Sequence, residues 1–114
     1  MTENIYGVKV GDRFRCHWGY DMSLNDFYEV VKVTQYYVYL IHVEPEKTWI
    51  SGDPTQGSFK VKKEGMWIKQ DEDPKRFKSQ KYGDQVLVYL TNYKTAFLMD
   101  ENDYECTYWE DHWD

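Results

Sequence analysis

A chain of 114 residues, 41% of them hydrophobic, has room for one domain with its own core and not for two. No apolar run approaches the ~20 residues of a membrane span, and the opening MTENIYGVKVGD lacks the basic and apolar regions of a secretory signal, so a soluble, cytoplasmic protein is expected. Aromatics make up 18% of the chain, with eleven Tyr and five Trp, which predicts a core built largely of rings with some left over for a surface.

In chain order, Met1–Asn4 reads as a frayed end, and Ile5, Val8 and Val10 lead into a turn at Gly11-Asp12 and are expected to pack at a barrel mouth. Phe14, Cys16 and Trp18 then alternate with Arg13, Arg15 and His17, the period-2 pattern of a half-buried strand. Gly19–Asn25 is a polar loop. Phe27, Val31 and Val33, at odd steps around Glu29, mark a second strand, and Tyr37, Tyr39, Ile41 and Val43 a third. The connection Thr34-Gln35-Tyr36 is short enough to force these two into an antiparallel hairpin with Val31, Val33, Ile41 and Val43 largely buried.

Glu44–Gly57 concentrates Pro45, Gly52, Pro54 and Gly57 and reads as a long loop pinned by Trp49 and Ile50. Ser58–Lys62 and Met66–Lys69 flank Lys63-Glu64-Gly65 as a second hairpin, with Gly65 expected to supply a positive φ. Asp73-Pro74 suits the start of a helix, predicting one or two turns from Pro74 to about Lys81. Gln85–Thr91 and Lys94–Met99 alternate as a third hairpin around Thr91-Asn92-Tyr93. The expected fold is therefore a single all-β domain over residues 1–114. It should be a small antiparallel barrel or sheet of the SH3-like kind, with at most one short helix.

The segment 100–114, DENDYECTYWEDHWD, stands apart. It holds seven of the twenty acids and no Lys or Arg, while the remaining thirteen acids face all fourteen bases. The body is thus near neutral at +1 and the segment carries −7. Its carboxylates are interleaved with Tyr104, Tyr108, Trp109 and Trp113, unlike the aromatic-poor acidic tails that stay disordered, so an ordered acidic contact surface is expected. Glu105, Tyr108, Trp109, Glu110, Asp111 and Trp113 are its candidate partner-binding residues. Such a surface can compete for a nucleic-acid-binding cleft on another protein, because DNA attracts Lys and Arg through charge density.

The alternative is direct nucleic-acid binding. Lys32 with Tyr36, Tyr37 and Tyr39, and Trp67 with Lys69, are the aromatic and basic mixture that stacks bases on small barrels, and eight bases between Lys60 and Lys81 provide a basic face. Against this stands an isoelectric point near 5.0.

Nothing points to catalysis, a cofactor or a metal. His17, His42 and His112 lie in three segments, and with two isolated cysteines they do not make the four-ligand spacing of a structural zinc site. Glu110-Asp111-His112 is the nearest thing to a metal-ligating cluster. Cys16 and His17 are adjacent on a strand and so face opposite ways, which rules out a nucleophile and base pair. Cys16 and Cys106, in no C-x-x-C arrangement, are expected to be free thiols, with Cys16 buried.

Trp18-Gly19-Tyr20-Asp21 followed by Asp26-Phe27-Tyr28-Glu29-Val30-Val31-Lys32-Val33 resembles the W-G-Y-D-x(4)-D-F-Y-x-V-V-x-V pattern of a group of small, functionally uncharacterised proteins of bacteriophages and other bacterial mobile elements. Tyr93, Ala96, Leu98, Asp100 and Thr107-Tyr108 are also similar to theirs, so the resemblance covers about the first third and the last quarter of the chain. It implies a phage or mobile-element origin and a small β domain. It also raises the expectation of an anti-defence role, such as an anti-CRISPR inhibitor acting on a host protein in the bacterial cytoplasm. In the shared block, Tyr20, Asp21 and Asp26 bracket one loop. Asp21 and Asp26 are expected either to cap loop N–H groups or to face a partner.

Overall fold

The computed structural model describes residues 3–18, 24–53, 56–91, 94–100, 102–104 and 108–111. Within them run the strands β1 (Arg13–Trp18), β2 (Leu24–Val33), β3 (Tyr37–Pro45), β4 (Lys47–Asp53), β5 (Gln56–Val61) and β6 (Trp67–Lys69). They are followed by β7 (Lys75–Lys78), β8 (Gln80–Tyr82), β9 (Gln85–Thr91), β10 (Lys94–Leu98) and, after a 3-10 turn at Asn102–Tyr104, β11 (Tyr108–Asp111). The fold is all-β, and every strand pairing is antiparallel.

The larger sheet runs β6-β3-β2-β1-β10-β9-β8, with β7 also on the outer edge of β3. β7 pairs with β3 and β8 with β9, and only Ser79 separates them, so the chain steps from one edge of the sheet to the other and closes it into a barrel. Ser79 is buried, and both its N–H and its Oγ–H donate to the Tyr36 carbonyl, at 2.8 and 2.7 Å. Inside the barrel, Val8, Phe14, Cys16, Val30, Leu40 and Val88 form the centre of one core. A second sheet, β11-β5-β4, packs on the outside of β1–β3 and encloses another core around Phe27, Val43, Phe59, Val61 and Tyr108. Strands β2 and β3 are consequently apolar on both faces at one end.

The β2–β3 hairpin matches its expectation in direction and position, with Thr34 N–H donating to the Tyr37 carbonyl across the turn. Its alternation is broken by a bulge between Val30 and Lys32, which leaves Val31 half-buried. Val33 therefore points into the barrel with Val38 and Leu40, whereas Ile41 and Val43 point outward with Phe27. The β9–β10 hairpin also forms where expected.

Several expectations are corrected. Pro74–Lys81 is not helical: Lys75–Lys78 pairs residue for residue with Tyr37–Leu40 and seats Phe77 against the barrel core. A two-turn helix is far below the ~12–15 residues needed for marginal stability on its own, so the ladder wins. Glu44–Gly57 is not a long loop, because Lys47–Asp53 pairs with β5 and Trp49 packs on Phe59 at 5.3 Å. Ser58–Lys62 and Met66–Lys69 do not pair as a hairpin; β5 joins the second sheet while β6 goes to β3. Gly65 in the turn between them does not have a positive φ, and its value lies in room, since a Cβ would sit 3.3 Å from Lys62 Cβ and carbonyl. At the N-terminus only Val8 of the three aliphatics is buried, with Ile5 and Val10 exposed. Asn4 is no frayed residue: its side chain accepts from Tyr6 and Val8 N–H and donates to Ser79 Oγ, plugging that end of the barrel.

Candidate functional site

Beyond the second sheet, the outer face of β2, β3 and β7 is uncovered. Lys32 lies opposite Tyr39, Tyr39 opposite Arg76, and Tyr37 opposite Lys78, which places all five side chains on one face. Lys32 Nζ stands 5.1 Å from the Tyr39 ring centroid and Arg76 Cζ 4.6 Å from that of Tyr37. Residues two apart on a strand are about 6.6 Å apart, so the two rings are spaced for bases splayed from an unstacked strand rather than for the 3.4 Å rise of a duplex. Glu29, the acid on the same face of β2, is buried and already matched by Arg13 Nε at 3.2 Å and Lys69 Nζ at 3.1 Å.

The barrel's other end, opposite the Asn4 plug, opens as a cleft of about 410 Å³. Tyr28, Leu40, Phe77 and Leu90 form its apolar floor, and Asp26, His42, Glu72, Lys75, Thr91 and Lys94 its rim. His42 Nε2 is 3.7 Å from Asp26 Oδ1 and 3.7 Å from Glu44 Oε1; Lys94 Nζ is 3.7 Å from Asp26 Oδ2. Contact with Asp26 raises the His42 imidazole above its ordinary pKa, against partial burial that lowers it, with Glu44 and Glu72 adding to the rise. Burial, reinforced by Asp26, pushes the Tyr28 hydroxyl well up, so it stays a proton donor. Cys16 is buried, a free cysteine whose thiol burial also pushes up, and His17 on the opposite face is exposed.

The structure distributes the expected residues among several places. Asp26 is a strand residue on the barrel rim, beside His42 and Lys94. Tyr108, expected at a contact surface, is in the second core: its ring lies 6.0 Å from Phe27 and 5.8 Å from Phe59, and its hydroxyl donates to the Asp103 carbonyl. Aromatic contacts outweigh exposure there because two facing sheets need rings to fill the gap. Trp109, Glu110 and Asp111 follow on β11, paired to Ser58, Gly57 and Gln56. Tyr20, Asp21, Glu105, Trp113, Cys106 and His112 lie outside the described residues. Among the described residues no group of three His, Cys, Asp or Glu is placed to hold a metal ion, and no helix is long and apolar enough to cross a membrane.

Nor do the bases from Lys60 to Lys81 form one face. Lys60 is on the second sheet, Lys69 is tied to Glu29, Lys75 is on the rim, and Arg76 and Lys78 join the outer stripe. Trp67 is no stacking platform, since its ring packs into the second core between Phe27 at 5.5 Å and Tyr104 at 6.2 Å. Compared with known families, curated proteins and solved structures, the chain finds no match in any of the three.

Proposed function

We propose that this is a non-catalytic binding domain that holds single-stranded nucleic acid on the outer face of its barrel. The observation that carries this reading is the register that aligns Lys32, Tyr39, Arg76, Tyr37 and Lys78 on an uncovered strand surface. The rings and the guanidinium plane over Tyr37 stack bases, and the three cations meet phosphates. The net charge of −6 opposes long-range attraction. At physiological salt, however, charges are screened over ~8 Å, and the local stripe governs contact.

Fluorescence anisotropy with labelled oligothymidylate and oligouridylate tests it. Tyr37→Ala or Tyr39→Ala is expected to weaken binding by about 1–3 kcal/mol. Three phosphate contacts predict a log–log salt slope of about −2. Absence of binding at low salt, or binding untouched by Tyr37→Ala and Arg76→Ala, overturns the reading.

A second reading is favoured by the −7 on residues 100–114 and by β11, whose backbone holds Trp109–Asp111 in a strand frame. It is a phage-encoded inhibitor that blocks a host nucleic-acid-handling or defence machine, such as a CRISPR effector, through an acidic surface. The resemblance to phage proteins supports it. Pulldown from a bacterial host with the parent chain and with a Glu110→Gln/Asp111→Asn/Asp114→Asn variant tests it: a partner held equally by both removes the acidic surface from the contact.

A further inference from the structure

We infer that the open mouth of the barrel is a second binding site, one that takes a single neutral heteroaromatic ring of the nucleobase class. The cleft's size, floor and rim each narrow the ligand. About 410 Å³ admits one small molecule and no folded partner. Its floor of Leu40, Phe77, Leu90 and the Tyr28 ring favours a flat apolar surface. Its rim carries two carboxylates, Asp26 and Glu72, against two ammonium groups, Lys75 and Lys94. Asp26 is already engaged by the His42 imidazole and Lys94, and Glu72 Oε1 accepts from the His42 main-chain N–H at 2.7 Å.

A free anion would meet two carboxylates there, and a cation two ammonium groups. A small zwitterion such as glycine would leave the apolar floor of Tyr28, Leu40, Phe77 and Leu90 uncovered. A neutral ring with apolar faces and polar edges suits both floor and rim: its edge finds an acceptor in Glu72 and donors in the Tyr28 hydroxyl and Lys75, while its faces lie on the floor.

Strand β7 ties this site to the outer stripe. Alternate residues put Lys75 and Phe77 at the mouth and Arg76 and Lys78 outside, so cleft and stripe adjoin along this one strand, and a base turned from a nucleic-acid strand held on the stripe is one source of the ring. This source of the ring rests on the reading under Proposed function; the site itself does not, because a free nucleoside presents the same chemistry.

The test is an NMR titration of the wild-type protein, following the His42 imidazole signal, identified by its loss in His42→Gln. The probes are adenosine, guanosine, cytidine and uridine, with ribose 5-phosphate and glycine as the anionic and zwitterionic controls. At least one nucleoside is expected to shift His42 saturably while the controls do not, and Thr91→Trp, which places bulk on the rim, is expected to abolish the shift. No shift with any nucleoside up to its solubility, an equal shift with either control, or a shift unchanged in Thr91→Trp overturns the inference. An oligonucleotide arm separates the two proposals. Nucleosides that shift His42 in a protein that binds no oligonucleotide leave the mouth site standing and remove the outer-face reading. Oligonucleotides bound through Tyr37 while His42 responds to neither ligand remove the mouth site alone.

Discussion

His42 and Glu29 show how charge is used at the level of single residues. His42 faces the carboxylates of Asp26, Glu44 and Glu72, the Tyr28 ring at 5.4 Å, and a rim that includes Lys75 and Lys94. Its folded pKa is raised, chiefly by Asp26. Its contribution to stability is therefore complete below the unfolded value of about 6.5 and is lost as pH climbs through the folded value. The melting temperature of the parent is expected to fall more steeply than that of His42→Gln as pH rises above about 6.5; parallel curves in a thermal shift series would show that the contact is unimportant. Glu29 is a different case, with its side chain 11% exposed between Arg13 and Lys69. Arg13 also donates to the Lys63 carbonyl at 2.9 Å and covers Trp67, so it cannot leave when its carboxylate partner is removed. Glu29→Ala should cost about 3 kcal/mol by leaving a buried charge unmatched, read from urea denaturation, while Glu29→Gln, which keeps an acceptor, should cost less.

At the scale of elements, the bend at Ser79 is what turns a sheet into a barrel. Ser79 Oγ donates to the Tyr36 carbonyl and accepts from Asn4 Nδ2 at 2.8 Å, joining the β2–β3 turn, the bend and the N-terminal plug in one chain of hydrogen bonds. Ser79→Ala leaves Asn4 Nδ2 without this acceptor and should destabilise by about 2 kcal/mol. Amide exchange in β7 and β8 should rise before that of β2; uniform acceleration throughout would mean that barrel closure is not a separable step. This closure also marks the limit of what the residues reveal in linear order. The β2–β3 and β9–β10 hairpins were legible because alternation and short connections are local signals. β4 was not, although it pairs locally with β5: the Gly and Pro of Glu44–Gly57 read as loop, and a bulge between Trp49 and Ser51 breaks its alternation. Nor was β7, since it is specified by a distant edge: Lys75–Lys78 looks like a helix start until Tyr37–Leu40 is beside it. The same applies to the sites. Lys32, Tyr37 and Tyr39 could be grouped from their nearness along the chain, but Arg76 and Lys78 reach them only through pairing across some forty residues, and Asp26 meets His42 only through the β2–β3 register. The bulge at Val31 made periodicity misleading about which face Val33 occupies.

For the whole molecule, the decisive property is a body near +1 joined to a segment at −7. The two functional readings make opposite demands on that segment. If nucleic acid is the ligand, the acids repel it; if a basic protein cleft is the ligand, they attract it. Glu110→Gln/Asp111→Asn/Asp114→Asn removes three negative charges, and salt tunes how far their effect extends, from ~8 Å at physiological ionic strength to ~30 Å at 0.01 M. Oligonucleotide affinity should therefore be little changed by the triple variant at physiological salt and strengthened several-fold at low salt, with the gain appearing in the association rate because steering acts on encounter. An inhibitor that docks by its acids should show the reverse, slower association with its partner and a flatter salt dependence. Stopped-flow association at the two ionic strengths distinguishes them, with melting temperature measured alongside so that altered folding is not mistaken for altered steering. A triple variant whose association with oligonucleotide is unchanged at low salt would mean that the acidic segment exerts no field on the Lys32–Lys78 stripe, and that net charge says nothing about what this barrel binds.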